Sequence, residues 1–201
     1  MTANVSVGRL PAMIATAALM GYGAAPPPLA QQGGGGIAAG TYAIHICAES
    51  DRCHAASASI AGRLVLLPTT LSRRSLPDDA FIDWWVAFAS GPVNGCFLPT
   101  QAPARVSSMA AVEKPVALHW QRDPTDSSRV IVSFSLSPDG SYRMGLVADA
   151  GARLAGQGDS RRSPPPANPL GSDSVVGERE GPPNSALCEA AARSVVPRRP
   201  R

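Results

Sequence analysis

Residues 130–158 constrain the fold of this chain more than any other stretch. Apolar side chains occupy the even positions from 130 to 136, and serines occupy positions 133 and 135. Alternation with period two is typical of a strand with one buried face. Ser-Pro-Asp-Gly follows at 137–140, and each residue suits its place in a tight turn. The stretch therefore predicts a hairpin whose loop is a type I turn followed by a glycine bulge.

The predicted loop also fixes a strand register. It pairs Leu136 with Tyr142, Phe134 with Met144, and Val132 with Leu146. The turn at 148–151 predicts a third strand, with Leu154 opposite Leu146, Gly156 opposite Met144, and Gly158 opposite Tyr142. These pairings place every large apolar side chain on one face, and a slip of one residue would scatter them.

Five other segments that precede this hairpin are predicted strands, and the longer ones alternate in the same way. They are residues 41–47, 59–67, 81–89, 96–98 and 116–121. About eight short strands predict an all-β fold, with a small closed antiparallel barrel preferred and a β-sandwich as the alternative.

The N-terminal region predicts export. Residues 1–30 carry a single charge, Arg9, before an apolar run of small residues. This composition is typical of a signal peptide, and the run is too short to span a membrane, so we expect no membrane span in the mature chain. The alternative is an N-terminal extension on a cytosolic protein. Residues 31–39 are a flexible glycine-rich lead-in, and 40–159 form the β domain.

The composition changes after the β domain. Residues 160–183 are rich in Pro, Gly, Ser and charge, which predicts a linker with too little apolar area to fold. Asn184 or Ser185 can cap a short helix within 184–194, and 195–201 form a basic tail. We expect disorder at both ends of the chain. The tail arginines have no aromatic residues between them, so the sequence does not favour nucleic-acid binding.

The chain has four cysteines: Cys47, Cys53, Cys96 and Cys188. An even number in an exported chain predicts disulfides, and four cysteines allow three connectivities. Cys47 and Cys53 are close enough in sequence for a local bridge. The preferred pairing therefore joins Cys96 to Cys188, which ties the C-terminal helix to the barrel.

A metal site is the alternative use of two of these cysteines. His45, Cys47, Cys53 and His54 supply four possible ligands for zinc or copper within ten residues. Their spacing matches no standard zinc pattern, and an oxidising compartment favours the disulfide. We therefore keep these residues only as secondary metal candidates.

Motifs for catalysis are missing from the sequence, which contains no nucleophile elbow, zinc-protease motif or P-loop. We assign no catalytic residue and no cofactor. The first hypothesis is a secreted or periplasmic binding domain for a small apolar ligand or a protein partner. The second is an extracytoplasmic enzyme that uses His45, His119 and nearby acids. The third is metal binding by the residues from His45 to His54.

Overall fold

The computed structural model describes residues 39–48, 53–55, 58, 60–73, 82–100, 114–137, 140–148, 152–162 and 172–195. In chain order the elements are β1 (Gly40–Ala48), β2 (Ile60–Leu66), α1 (Ile82–Ser90), β3 (Gly95–Pro99), β4 (Val116–Arg122), β5 (Arg129–Ser137), β6 (Gly140–Ala148), β7 (Arg153–Arg162), β8 (Asp173–Gly181) and α2 (Ser185–Ser194). The predicted signal peptide, nearly all of the lead-in and most of the basic tail lie outside the described residues.

The eight strands form a closed antiparallel barrel. Each strand pairs with its neighbours in the sequence, and β8 closes the barrel by pairing with β1. Closure pairs both sides of every strand, which removes the unpaired edges that an open sheet would leave. The prediction of an all-β barrel with a short C-terminal helix is confirmed, and the sandwich alternative is wrong.

One predicted strand is a helix. Residues 81–89 were expected to be extended, but Ile82–Ser90 form α1. The segment is so apolar that it fits a period of two and a helical period equally well. Trp84, Ala87 and Phe88 have the helical spacing i, i+3, i+4, and they pack together against the outside of the barrel wall. Contact with that wall therefore selects the helix.

The predicted linker 160–183 contains the strand that closes the barrel. β7 continues to Arg162, and β8 begins at Asp173. Few apolar side chains are needed because β8 gains backbone hydrogen bonds from β1 and β7. One of its buried inward positions is Gly177, where a Cβ atom would lie 2.5 Å from Ile44 Cδ1. The linker prediction is wrong here because it counted apolar area and ignored backbone pairing.

The registers of both predicted hairpins are shifted by two residues. Ser137 pairs with Gly140, and the register shifts between Ser135 and Ser137, so the extra residue lies in β5 and not after the turn. The observed pairs are Phe134 with Tyr142, Val132 with Met144, Val130 with Leu146, Met144 with Gly158, and Leu146 with Gly156. A shift of two residues keeps each side chain on its face. The exact pairs were therefore wrong, although the side chains expected on the buried face are buried: Val130, Val132, Phe134, Tyr142, Met144 and Leu146.

Apolar side chains fill the barrel interior. The core consists of Tyr42, Ile44, Ile46, Ile60, Leu64, Leu66, Phe97, Val116, Leu118, Val130, Val132, Phe134, Tyr142, Met144, Leu146, Leu154 and Val175. The rings of Phe97 and Phe134 stack with their centroids 6.1 Å apart, and those of Phe134 and Tyr142 are 5.4 Å apart. Burial of this apolar surface is the main force that holds the barrel together.

A second apolar cluster lies outside the barrel, where the two helices cover β2, β3 and β4. It consists of Val65, Leu67, Leu71, Trp84, Val93, Cys96, Ala117, Cys188, Ala191 and Ala192. The Cys96–Cys188 disulfide lies within it and joins α2 to β3, while Cys47 pairs with Cys53. Both predicted disulfides are therefore confirmed. The Asn184 side chain caps α2 by accepting a hydrogen bond from the Ala186 amide at 3.1 Å.

Candidate functional site

The residues of the secondary metal hypothesis lie around one disulfide. Cys47 and Cys53 are bonded to each other, so neither supplies a thiolate ligand. His45 lies on the outer face of β1, and its buried Nδ1 makes no hydrogen bond to any described residue. His54 is exposed. Within the described ranges, no group of three or more metal-ligating side chains comes together.

The two histidines of the enzyme hypothesis do not meet. His45 is on β1 between β2 and β8, whereas His119 is on β4. Strands β2 and β3 separate them around the barrel. Asp123 and Asp126 accept hydrogen bonds from Thr125 and Ser128 in the turn after β4. These hydrogen bonds lower the pKa of both exposed carboxyl groups, which stay ionised and stabilise the turn.

His119 instead lines a cleft on the outside of the barrel, between the C-terminal end of α1 and strands β4, β5 and β6. We call it the α1 cleft. Its volume is about 340 Å³, and its lining consists of Ala87, Ser90, Gly91, Pro92, Val93, Ala117, Leu118, His119, Ser133, Phe134, Ser135 and Ser141. Most of this surface is apolar, with polar groups from one histidine and four serines. Such a mixture of apolar walls and a few polar groups is typical of small-molecule sites.

Asn94 fixes the strand on which His119 lies. The Trp120 amide donates to Asn94 Oδ1 at 2.8 Å, and Asn94 Nδ2 donates to the Trp120 carbonyl at 2.9 Å. The Trp120 indole nitrogen also donates to the carbonyls of Leu67 and Asn94, at 3.0 and 3.1 Å. The Asn94 side-chain amide thus bonds to the Trp120 backbone as a neighbouring strand would, and it ties β4 to the loop that follows α1.

The loop after α1 orients the His119 ring. His119 Nδ1 lies 3.0 Å from the Pro92 carbonyl oxygen. A carbonyl oxygen can only accept, so Nδ1 carries the proton and donates it. In the neutral ring Nε2 is therefore an acceptor. His119 is half-buried, which leaves part of the ring accessible from the cleft.

Three serine side chains line the side of the cleft opposite α1. Ser133 pairs with His119 across β4 and β5, and Ser135 pairs with Ser141 across β5 and β6. All three are half-buried. Ser90 lies at the end of α1, but its hydroxyl donates to the Val86 carbonyl at 2.8 Å. The serines on β5 and β6 therefore provide hydroxyl groups that can both donate and accept.

The sequence predicted the parts of this cleft but not their assembly. The alternation of β5 already placed Ser133 and Ser135 on the outer face. The cleft was missed because its other wall was assigned to a strand and not to α1. No local pattern indicates that Asn94 would bridge to Trp120, since the two are 26 residues apart.

Comparison with known proteins gives no relative of this chain. No protein-family model, no curated protein and no solved structure matches it. The function is therefore argued from the geometry of the site alone.

Proposed function

We propose that this protein is an extracytoplasmic binding domain that holds a small, largely apolar ligand in the α1 cleft. The observation that carries the proposal is the position of the apolar cleft, which lies outside the barrel and not in its interior. Side chains occupy the barrel interior, while an apolar cleft of about 340 Å³ lies outside it, between α1 and the barrel wall. A ligand of this kind would therefore bind against the outer wall and not in the lumen.

The polar groups of the cleft indicate the chemistry of the ligand. Ala87, Pro92 and Ala117 supply apolar contacts. His119 Nε2 supplies an acceptor because Nδ1 is committed to the Pro92 carbonyl. We therefore expect a ligand with an apolar body and one N–H or O–H donor directed at His119.

The cysteines support the extracytoplasmic part of the proposal. Two disulfides join the four cysteines, and disulfides of this kind persist in oxidising environments outside the cytoplasm. Neither helix in the described residues has the length and apolar character needed to cross a membrane.

Binding is favoured over catalysis by the way in which His119 is held. Its Nδ1 donates to the Pro92 backbone carbonyl, and no Asp or Glu is among the described residues that line the cleft. A histidine that acts as a general base usually has a carboxylate to stabilise its charged form. A neutral histidine acting as an acceptor requires no such partner.

The test uses N-phenyl-1-naphthylamine, a neutral fluorescent probe with an apolar body and one N–H donor. Its fluorescence should rise when it is titrated with the full chain. Ser135→Phe places a large ring in the cleft and should weaken binding by about tenfold or more, because the ring and the probe cannot both fit and such overpacking costs roughly 1–3 kcal/mol. Ser174→Phe is the matched control, since Ser174 is also half-buried on the outer face but lies on β8.

The two variants separate the α1 cleft from other binding places. Equal loss of binding in both variants, with both folded by circular dichroism, would contradict the proposal. So would probe binding that survives Ser135→Phe unchanged, because the probe would then occupy another surface.

A further inference from the structure

His119 gives the α1 cleft a side chain whose charge depends on pH. The other described residues of the lining are serines, a glycine and apolar residues, none of which changes its charge between neutral and mildly acidic pH. Histidine is the residue whose charge ordinarily changes between about pH 5 and about pH 8. A change of pH in this range therefore acts on the described lining of the cleft through His119.

The hydrogen bond to Pro92 determines which nitrogen of the ring takes up the proton. His119 Nδ1 lies 3.0 Å from the Pro92 carbonyl oxygen and donates to it in both the neutral and the charged ring. No described residue bonds to Nε2. The added proton therefore binds at Nε2, which changes from an acceptor into a donor while the ring gains a positive charge.

The described charges on the neighbouring strands lie at a distance from His119. Ser133 pairs with His119, and Arg143 pairs with Ser133, so Arg143 is two strands, or about 10 Å, away. Asp123 and Arg129 are joined by a backbone hydrogen bond at the end of β4 and β5, about 13 Å farther along the barrel wall. Surface charges at such distances are largely screened at physiological ionic strength.

The helix side of the cleft places no described charge beside the ring either. Ala87 and Ser90 are the residues of α1 in the lining, and the acidic residue of this helix, Asp83, is in its first turn, about 10 Å along the axis from Ser90. β3 has no charged residue, and α2 supplies none of the described lining. A carboxylate that pairs with the charged ring can therefore come from a ligand.

We infer, on the basis of the proposed function, that the α1 cleft changes its ligand class with pH, from an apolar N–H or O–H donor at neutral pH to an apolar carboxylate at mildly acidic pH. In the neutral ring, the Nε2 lone pair accepts from a donor ligand and cannot bond to a carboxylate. In the charged ring, Nε2–H donates a charge-assisted hydrogen bond to a carboxylate oxygen. The hydroxyl of Ser133, the cross-strand neighbour of His119, can donate to the second oxygen.

Isothermal titration calorimetry of the full chain with 2-naphthol and 2-naphthoate tests this change of ligand class. The two probes share one apolar body, and between about pH 5.5 and about pH 8 the phenolic O–H keeps its proton while the carboxylate stays charged. Naphthoate should bind about tenfold more tightly at the lower pH, and naphthol should bind more weakly there. A naphthoate affinity that does not change with pH would overturn the inference, as would affinities that change in the same direction for both probes.

Variants test whether His119 is the group that titrates. His119→Gln has a side chain that donates and accepts but does not change its charge, so the pH dependence of both probes should disappear. His119→Asn keeps a donor near the Pro92 carbonyl but lacks Nε2, so naphthol should bind more weakly at about pH 8 and naphthoate should gain nothing in acid. His54→Gln is the matched control, because His54 is an exposed histidine outside the described lining.

The control should keep the pH dependence of the wild type, and circular dichroism at both pH values checks that each variant is folded. A pH dependence that persists in either folded His119 variant would contradict the assignment to His119. Its disappearance in His54→Gln would contradict it as well.

Failure of the change of ligand class is separable from failure of the proposed function. If Ser135→Phe excludes N-phenyl-1-naphthylamine but the naphthalene pair shows no opposite response to pH, the cleft binds ligands and only the role of His119 protonation is wrong. If none of the three probes binds at either pH, the proposed function is wrong, and the change of ligand class is wrong with it.

Discussion

At the scale of single residues, one hydrogen bond between two buried polar side chains links strands that are not neighbours in the barrel. Tyr142 and Asp173 are both buried, and the Tyr142 hydroxyl donates to Asp173 Oδ2 at 2.9 Å. This hydrogen bond joins β6 to β8 across β7, where Gly158 leaves room for the tyrosine ring. Burial first, and the negative charge of Asp173 second, raise the pKa of Tyr142 strongly.

The raised pKa of Tyr142 predicts loss of stability at alkaline pH. The unfolded tyrosine loses its proton near pH 10, whereas the folded one keeps it. The unfolded chain therefore binds fewer protons above that pH, so the free energy of unfolding falls as the pH rises. The contribution of Tyr142 is fully present below pH ~10 and decreases above it. Urea unfolding at several pH values between neutral and strongly alkaline measures this slope.

Tyr142→Phe tests the same hydrogen bond. At neutral pH the variant should lose about 1–3 kcal/mol, because Asp173 keeps its burial and loses a donor. Above pH ~10 the slope should become shallower than in the wild type. Tyr42→Phe is the control, since burial also raises the pKa of Tyr42 but Arg179 opposes this rise. An unchanged alkaline slope in Tyr142→Phe would show that this tyrosine does not govern the transition.

At the scale of elements, the two helices form by different means. α1 has an apolar sequence that fits two periods, and the barrel wall selects the helical one. α2 has a weaker apolar face, with Cys188, Ala191 and Ala192 buried, and it is only ten residues long. Isolated helices of that length are marginal in water. Its stability must therefore come from Asn184, from the wall of β2–β4 and from the disulfide to Cys96.

The Cys96–Cys188 bridge should consequently govern α2 more than the barrel. The bridge spans 92 residues of sequence, whereas Cys47–Cys53 spans six. Replacing Cys96 and Cys188 by alanine should cost about 2–4 kcal/mol. Amide hydrogen exchange should become fast in Ser185–Ser194 and stay slow in β5 and β6.

Replacing Cys47 and Cys53 by alanine is the matched control for this prediction. That pair closes a short loop, so the entropic stabilisation should be smaller. Protection of α2 should then be unaffected. If α2 stays protected without its own disulfide, packing against the barrel wall is sufficient to hold it.

At the scale of the whole molecule, a single filled core is closed by the last strand. β8 pairs with β1 and β7 and contributes Val175 to the core. Without it, both neighbours would expose unpaired backbone groups and the interior would open to water. The α1 cleft lies on the outer face of the barrel that this closure completes.

Truncation tests the need for closure. A chain that ends after Arg162 should lose the cooperative thermal transition, because it lacks β8 and α2. A chain that ends after Pro183 and carries Cys96→Ala is the control, since it keeps β8 and removes only α2 with its partner thiol. This control should unfold cooperatively at a lower temperature. Cooperative unfolding of the shorter chain would show that the barrel does not require β8.

Local patterns in the sequence determined the fold class, the buried face of β5 and β6, the cap of α2 and the two disulfides. Each of these rests on neighbouring residues: alternation in 130–136, turn residues at 137–140, or cysteines placed near strands. Alternation has a period of two, so it fixes which face is buried but leaves a register shift of two residues undetermined. The observed register differs from the predicted one by that amount.

Only the tertiary structure decided the features that depend on distant contacts. β8 is a strand because two neighbouring strands pair with its backbone, although its own sequence carries little apolar area. α1 is a helix because its apolar residues meet a barrel wall. Asn94 reaches Trp120, and Arg129 lies over Gly145, because folding brings them together. The α1 cleft depends on such contacts, and their stabilising free energy arises between residues that are far apart in the sequence.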